Sequence, residues 1–224
     1  MIAKGLKFLV VGLTMIGSLQ TFGAKVEALP EELQSTLNEY RSSRGTILLV
    51  NKIVKNVVMD KQTNFVGKIQ MAGGKFYWET TEPEKSLLVY DGRYLWNVQY
   101  PGEALKNAPL QVVRLNIKKK NSSPLLILDI FGKRPLQDLF TVTEQPNKEE
   151  KHLFYLLKEK KLDLGLKDLT LKIDPKERRV LGLSYRDDLD NETKIEFKQT
   201  QLNSKVNQKI FTYNPPKGAQ VTEN

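Results

Sequence analysis

The spacing of apolar residues changes along the chain from a helical period to a period of two. Near the start, Leu33, Leu37 and Tyr40 are four and three residues apart, and a proline with the acidic pair Glu31-Glu32 precedes them. This spacing places the apolar side chains on one helical face, and proline with acids is typical of a helix N-terminus. The pattern predicts an amphipathic helix of about three turns.

Farther along, apolar and polar residues alternate, as in strands with one buried face. Alternating runs occur at residues 65–71, 169–173, 181–185, 195–197 and 211–213. Turn-forming pairs separate such runs, and Asp91-Gly92 between two apolar runs predicts a tight hairpin with positive φ at both turn residues. Around ten strands without strand–helix alternation predict an antiparallel sheet.

The strand pattern is interrupted once, at residues 123–140. Pro124 leads into the run 125–131, in which only Asp129 is polar, and Gly132 can end a helix. This predicts a short, very apolar helix, followed by a second helical turn. The first helix, Glu31 to Arg41, and this one, Pro124 to Phe131, either cap an open barrel mouth or complete the core, and periodicity alone favours neither.

The first residues are typical of an export signal. Lys4 and Lys7 precede an apolar stretch at residues 8–19, and small residues such as Gly23 and Ala24 follow it. A retained membrane anchor is the alternative, but the stretch is shorter than the about 20 residues that a spanning helix needs. We therefore expect residues 1–24 to be a signal peptide, cut between residues 23 and 28, and residues 25–224 to form one domain.

The composition excludes several kinds of function. The sequence has no cysteine, which excludes disulfides, thiolate metal sites and cysteine nucleophiles. Its formal net charge is +9, and its densest basic run is at residues 118–120. No nucleic-acid-binding motif accompanies this charge, and export also argues against nucleic acid. We interpret the lysine run as a solvated loop tip.

The chain carries no recognisable catalytic motif. The only histidine, His152, lies in a charged turn, where histidine is usually solvated. The acids Asp187, Asp188, Asp190 and Glu192 lack the glycine and distal glutamate of a calcium loop, so a hairpin turn is the better interpretation. We therefore expect neither enzyme activity, nor a cofactor, nor a metal site.

Two stretches resemble the LolA family of lipoprotein localisation carriers. Residues 76–96, FYWETTEPEKSLLVYDGRYLW, combine an aromatic pair with tryptophan, a spaced proline, an apolar strand, Asp-Gly and a second tryptophan. Residues 211–221, FTYNPPKGAQV, are similar to the closing signature of the family. The order of strands and turns over residues 166–197 also matches, and residues 124–131 fall where such carriers place an apolar lid helix.

The resemblance implies a mainly β fold, a half-open antiparallel β-barrel of about ten to eleven strands, with α-helices as a lid over an apolar cavity. It implies a monomeric periplasmic carrier that shields the acyl chains of lipoproteins and moves them from the inner to the outer membrane. The donor would be an ATP-driven inner-membrane complex and the recipient an outer-membrane acceptor lipoprotein. The alternatives are a lipid-binding or stress-sensing module on this fold, and an envelope structural protein with a filled core.

With this fold, we expect the cavity to be lined by aromatic and aliphatic residues of the sheet and the lid. The residues expected from the sheet are Phe76, Trp78, Leu88, Leu95 and Trp96, and those from the lid are Leu125, Leu126, Leu128 and Ile130. Members of the best-known branch of the family carry an Arg-Pro pair that holds the lid, and the matching positions here are Ala72 and Gly73. The family's Phe-x-Gln near the first strand is lost, with Val50, Asn51 and Lys52 nearby. We therefore expect the lid to close by apolar contact alone.

The export signal leads to the first prediction. The mature protein should begin between Gly23 and Leu29, because the small residues suitable for cleavage lie there. Intact-mass measurement of protein isolated from the periplasm checks this expectation. A chain that still begins at Met1 would contradict it.

Overall fold

The computed structural model describes residues 28–117, 126–146, 151–160 and 164–223. The predicted signal peptide at residues 1–24, the lysine run at residues 118–120, and Pro124 and Leu125 lie outside the described residues. Within the described ranges, no helix is long and apolar enough to cross a membrane.

Three α-helices are present in the described part of the chain: α1 (Glu31–Ser42), α2 (Leu126–Phe131) and α3 (Leu136–Leu139). The helix predicted near the start is confirmed as α1, which buries Leu33, Leu37 and Tyr40 on one face. Pro30 occupies its N-cap position, and the two acids that follow stabilise the positive end of the helix dipole. Two short 3₁₀ helices, Glu103–Leu105 and Gln208–Phe211, lie in loops.

The described strands form one open sheet. They are β1 (Thr46–Asn56), β2 (Lys61–Ala72), β3 (Lys75–Glu82), β4 (Ser86–Tyr90), β5 (Tyr94–Gln99), β6 (Gln111–Asn116), β7 (Phe140–Gln145), β8 (Leu153–Glu159), β9 (Lys167–Asp174), β10 (Arg179–Arg186), β11 (Glu192–Gln201) and β12 (Gln220–Glu223). Their order is β12-β6-β5-β4-β3-β2-β1-β11-β10-β9-β8-β7. The predicted fold class is confirmed, with 12 strands instead of ten to eleven. The pairing is antiparallel except between β12 and β6.

The predicted hairpin at Asp91-Gly92 connects β4 and β5, but its geometry differs from the expectation. Only Gly92 has positive φ, at 102°. The Asp91 carboxylate instead accepts hydrogen bonds from the backbone N–H groups of Arg93 and Tyr94, at 2.8 and 2.7 Å. The aspartate thus supplies by its side chain the hydrogen bonds that hold the turn.

The helices lie against one face of the sheet, which we call the interior face. Its core contains apolar residues of β1, β2, β3, β5 and β7–β11 together with residues of all three helices. Neighbouring strands lie about 4.8 Å apart, so a flat sheet of this width would not bring its two halves to one core. The sheet is therefore curved around the helices. The opposite, outer face of β3–β6 is covered in part by the C-terminal segment, including Tyr213 and Ala219.

A buried hydrogen bond joins α1 to the sheet and leads to the second prediction. The hydroxyl oxygen of Tyr40 accepts from the backbone N–H of Val180 at 2.9 Å. Replacing Tyr40 with phenylalanine leaves that buried N–H without its partner, so we expect a loss of about 1–3 kcal/mol in the free energy of unfolding. Urea denaturation measures the loss. Tyr213→Phe, in a half-exposed tyrosine, is the control, and an equal loss in both variants would contradict the prediction.

Candidate functional site

Helix α2 closes the interior face by packing between α1 and the sheet. Ile127, Ile130 and Phe131 are buried. The ring of Phe131 lies 4.6 Å from that of Tyr40 on α1 and 5.7 Å from that of Phe197 on β11, measured between centroids. One aromatic side chain of α2 therefore contacts both the neighbouring helix and the sheet.

An arginine of α1 also holds the end of α2. Arg41 donates from Nε to the carbonyl oxygen of Gly132 at 3.0 Å and from Nη2 to that of Arg134 at 3.4 Å. Partial burial lowers the pKa of the Arg41 guanidinium. The expectation that the lid closes by apolar contact alone is therefore wrong. Arg41 of α1 makes polar contacts to the chain just after α2.

Four of the residues expected from the sheet share the interior face. Phe76 and Leu95 are buried in the core, while Trp78 and Leu88 are half-buried and pack against it. The register places Trp78 opposite Leu88 in the β3–β4 pair. The rings of Phe76 and Trp78 meet edge to face at 6.3 Å. These four side chains form one continuous apolar surface.

Trp96 lies on the other face, so the expectation that it lines the interior is corrected. It belongs to the outer cluster with Val89 and Val98. The ring of Tyr213 from the C-terminal segment lies 5.6 Å from it. Adjacent residues of a strand point to opposite faces. Trp96 therefore cannot share the interior face with its neighbour Leu95, and alternation applied to β5 would have excluded it.

The residues expected from the lid are placed as follows. Ile130 is fully buried, and Leu126 and Leu128 are half-buried against the same core. Leu125 lies outside the described residues. Sequence reasoning missed Ile127 and Phe131, which are more deeply buried than Leu126 and Leu128. The spacing of three and four residues between 127, 130 and 131 is the helical signal that would have found them.

The interior is packed at the lid. A pocket where α1, α2 and the β2–β3 turn meet, lined by Arg41, Gly73 and Phe131 among others, has a volume of about 70 Å³. Pockets that hold small molecules usually measure about 300–1,000 Å³. Binding of an acyl chain beneath the lid therefore requires α2 to move from the sheet.

A lysine occupies the interior face beyond the lid, and sequence reasoning had noted it only as a departure from the family. Lys52 of β1 lies opposite Phe65 of β2 and Ile195 of β11. Its Nζ is 5.5 Å from the centre of the Phe65 ring and 5.9 Å from that of Trp78. Desolvation by burial lowers the pKa of its ammonium group. Across the described ranges, no carboxylate forms an ion pair with Lys52.

The acidic run between β10 and β11 is organised as a hairpin turn. The Asp187 carboxylate accepts from the backbone N–H groups of Leu189 and Asn191, each at 2.9 Å. Hydrogen bonds, first of all from the Asn191 side chain, lower the pKa of this carboxylate. Asp190 forms an ion pair with Lys167 at 3.1 Å. These contacts account for Asp187 and Asp190 as parts of the turn.

An open, mainly antiparallel sheet that is curved around apolar helices defines a half-barrel protein with a helical lid. Within this class, the family model of the outer membrane lipoprotein carrier protein LolA matches residues 54–214. The chain belongs to the LolA family.

Individual relatives are distant in sequence. An outer-membrane lipoprotein carrier protein of Legionella pneumophila (strain Lens) is 25% identical over 194 residues, which cover 86% of this chain and 89% of the relative. The protein of the same description from Hahella chejuensis is 26% identical over 148 residues, 66% of each chain. Among solved structures, an uncharacterized conserved protein from Thermus thermophilus matches with a TM-score of 0.50 and 15% identity, covering 86% of this chain and 98% of that chain. This last likeness shows the fold alone.

The position of Lys52 leads to the third prediction. Burial of an ammonium group without an opposite charge costs free energy, so Lys52→Met should raise the free energy of unfolding at pH 7 by about 1 kcal/mol. The pKa of Lys52 is lowered in the folded state, so the unfolded state binds more protons between that pKa and the ordinary one. The advantage of the variant should therefore shrink as the pH rises through this interval.

Chemical denaturation at a series of pH values measures this effect. Lys55→Met is the matched control, because Lys55 lies on the same strand but is exposed and on the opposite face. A destabilised Lys52→Met variant, or an equal gain in Lys55→Met, would contradict the prediction.

Proposed function

We propose that this protein binds the acyl chains of lipoproteins between the interior face of its sheet and α2, and carries them from the inner to the outer membrane. The observation that carries the proposal is an apolar interior closed by a helix of which six residues are described, held by Phe131 and Arg41. Membership of the LolA family supports the same role.

The free energy gained by burying the lid side chains is comparable to the free energy gained by burying one acyl chain. Burial of Ile127, Ile130 and Phe131 contributes about 5–9 kcal/mol gross at about 1.5–3 kcal/mol each. An acyl chain of about 15 methylenes gains on the order of 12 kcal/mol when it leaves water, at about 0.8 kcal/mol per methylene. When an acyl chain replaces the lid residues at the interior face, the net gain in free energy is therefore modest. A modest gain permits release as well as binding.

In this proposal the mature protein, residues 25–224, works in the periplasm as a monomer and without a cofactor or catalysis. It receives lipoproteins from an ATP-driven complex of the inner membrane and passes them to an acceptor lipoprotein of the outer membrane. The descriptions of the Legionella and Hahella relatives as outer-membrane lipoprotein carrier proteins support the carrier role.

The fourth prediction compares two leucines on opposite faces of the sheet. Leu88 lies half-buried on the interior face, whereas Leu49 is 41% exposed on the outer face. Leu88→Asp should weaken binding of a fluorescent diacylated lipopeptide by at least about tenfold, because an unpaired carboxylate in an apolar contact costs more than about 1.4 kcal/mol. Leu49→Asp should leave the affinity within about twofold of the original.

Fluorescence titration gives the affinities, and far-UV circular dichroism shows that both variants keep the sheet. Equal affinities for the two variants would contradict an interior binding site. No binding by the unaltered protein would favour the structural role with a filled core. Transfer is tested separately, by release of a labelled lipoprotein from inner-membrane vesicles with ATP, which Leu88→Asp should abolish.

A further inference from the structure

Lys52 is a cation on the interior face, and the strands around it place no acid on that face. Strands β1 and β2 contain neither aspartate nor glutamate. The acids of β3 and β11 lie opposite outer-face residues in the register of the sheet. These acids are Glu79, Glu82, Glu192 and Glu196. In the described part of the chain, the interior face of these strands therefore offers a positive charge without a negative one.

The indole of Trp78 places a second donor beside this cation. Nζ of Lys52 is 5.9 Å from the ring centre. The indole lies over Gly67 of β2, where a Cβ would be only 3.1 Å from Nε1, so the lack of a side chain there makes room for the ring. Nε1–H donates no hydrogen bond within the ranges that the structure describes. Both side chains can donate hydrogen bonds and neither can accept one.

This pair of donors adjoins the place that the lid occupies. Val50, next to Lys52 on the interior face, lies opposite Phe197 of β11, whose ring is 5.7 Å from that of Phe131 on α2. Two residues along a strand span about 7 Å. An acyl chain that lies on Phe197 in place of Phe131 therefore has its end within reach of the Lys52 ammonium.

Burial also decreases at this point of β1. Leu48 and Val50 are buried, whereas Lys52 and Val54 are half-buried. Desolvation lowers the pKa of the Lys52 ammonium, so part of its hydration is lost in the folded state. A negative group beside it replaces that hydration and is attracted more strongly than in bulk water, because less water screens the pair. The apolar part of the same ligand lies on the buried side.

We propose that the interior selects acyl ligands whose polar end carries an anionic oxygen group, which the Lys52 ammonium and the Trp78 indole N–H hold by charge-assisted hydrogen bonds. Carboxylate and phosphate share this chemistry, so the ligand class is an anionic lipid, either a fatty acid or a lysophospholipid with an anionic head group. Cation–π contacts with the rings of Phe65 and Trp78 stabilise the ammonium in this position. The inference rests on the acyl-binding site of the proposed function and names a further ligand class for it.

The acid and the methyl ester of one fluorescent polyene fatty acid test the proposal, because esterification removes the charge and adds only a methyl group. Fluorescence titration of the mature protein at pH 7 should give an affinity for the acid at least about tenfold higher than for the ester. Competition then distinguishes the two sources of the anionic group. Displacement of the acid by lysophosphatidylglycerol, and more weakly by lysophosphatidylcholine, includes phosphate; absence of this difference restricts the class to carboxylates.

Variants assign the preference to the two donors. Lys52→Met should bring the ratio of the two affinities from about ten to about one, whereas Lys52→Arg should keep a preference for the acid. Trp78→Phe keeps an aromatic ring without the N–H and should lower the ratio about threefold. Lys55→Met is the matched control and should leave the ratio unchanged, because Lys55 is exposed on the outer face. Far-UV circular dichroism shows that each variant keeps the sheet.

Each outcome decides the proposal. A preference for the acid that is lost in Lys52→Met and kept in Lys55→Met supports it. Equal affinities for acid and ester in the unaltered protein, or binding of neither, would overturn it. A preference that persists in Lys52→Met would also overturn it, and an equal loss in Lys55→Met would reduce it to a general effect of net charge and overturn it as a site.

The lipopeptide titration separates this inference from the proposed function. Equal affinities for acid and ester together with tight lipopeptide binding would overturn the inference and leave lipoprotein carriage standing. A preference for the acid without lipopeptide binding would have the opposite meaning. The protein would then bind anionic lipids in its interior, and the proposed carriage of lipoproteins would be wrong.

Discussion

An open sheet with one apolar face must keep that face from water without closing on itself, and every other feature of this protein depends on how it does so. Here α1 lies along the interior face and α2 covers a further part of it. Two consecutive residues of α1 make hydrogen bonds to different parts of the molecule. Tyr40 accepts a hydrogen bond from the sheet at Val180, whereas Arg41 donates to the chain beyond α2 at Gly132. Helix α1 is therefore hydrogen-bonded to the sheet, and the chain just after α2 is hydrogen-bonded to α1.

This arrangement gives the two helices different stabilities. A helix as short as the described part of α2 does not persist alone in water, because its few hydrogen bonds do not offset the free-energy cost of nucleation. Helix α2 therefore exists through its packing, chiefly the contacts of Phe131 with Tyr40 and Phe197. Loss of that packing removes the helix, so in the proposed function opening of the lid is a local unfolding event. An acyl chain that took the place of Phe131 would restore the same apolar contact.

Much of this fold was predictable, because burial on one face leaves a period in the sequence. The amphipathic α1, the β4–β5 hairpin and the shared face of Phe76 and Trp78 followed from spacing alone. The polar contacts of Arg41 were not predictable, since their acceptors lie 91 and 93 residues away and polar contacts leave no periodic signal. Nor was β12, whose residues are all exposed and so show no alternation. Periodicity indicates which face is buried, but it does not indicate what covers that face.

The polar groups of the interior bear on the choice between the proposed carrier role and a structural protein with a filled core. Lys52 lies among Phe65, Trp78 and Ile195 and carries a charge whose burial opposes folding. The hydroxyl of Tyr155, also on the interior face, has no hydrogen-bond partner among the described residues. Burial, more than the nearby acids, raises the pKa of that hydroxyl. Each such group costs about 1–3 kcal/mol where an apolar residue would cost nothing. A core selected for stability alone has no use for either group, whereas an interior that receives the polar junction between acyl chains and a polypeptide has a use for both.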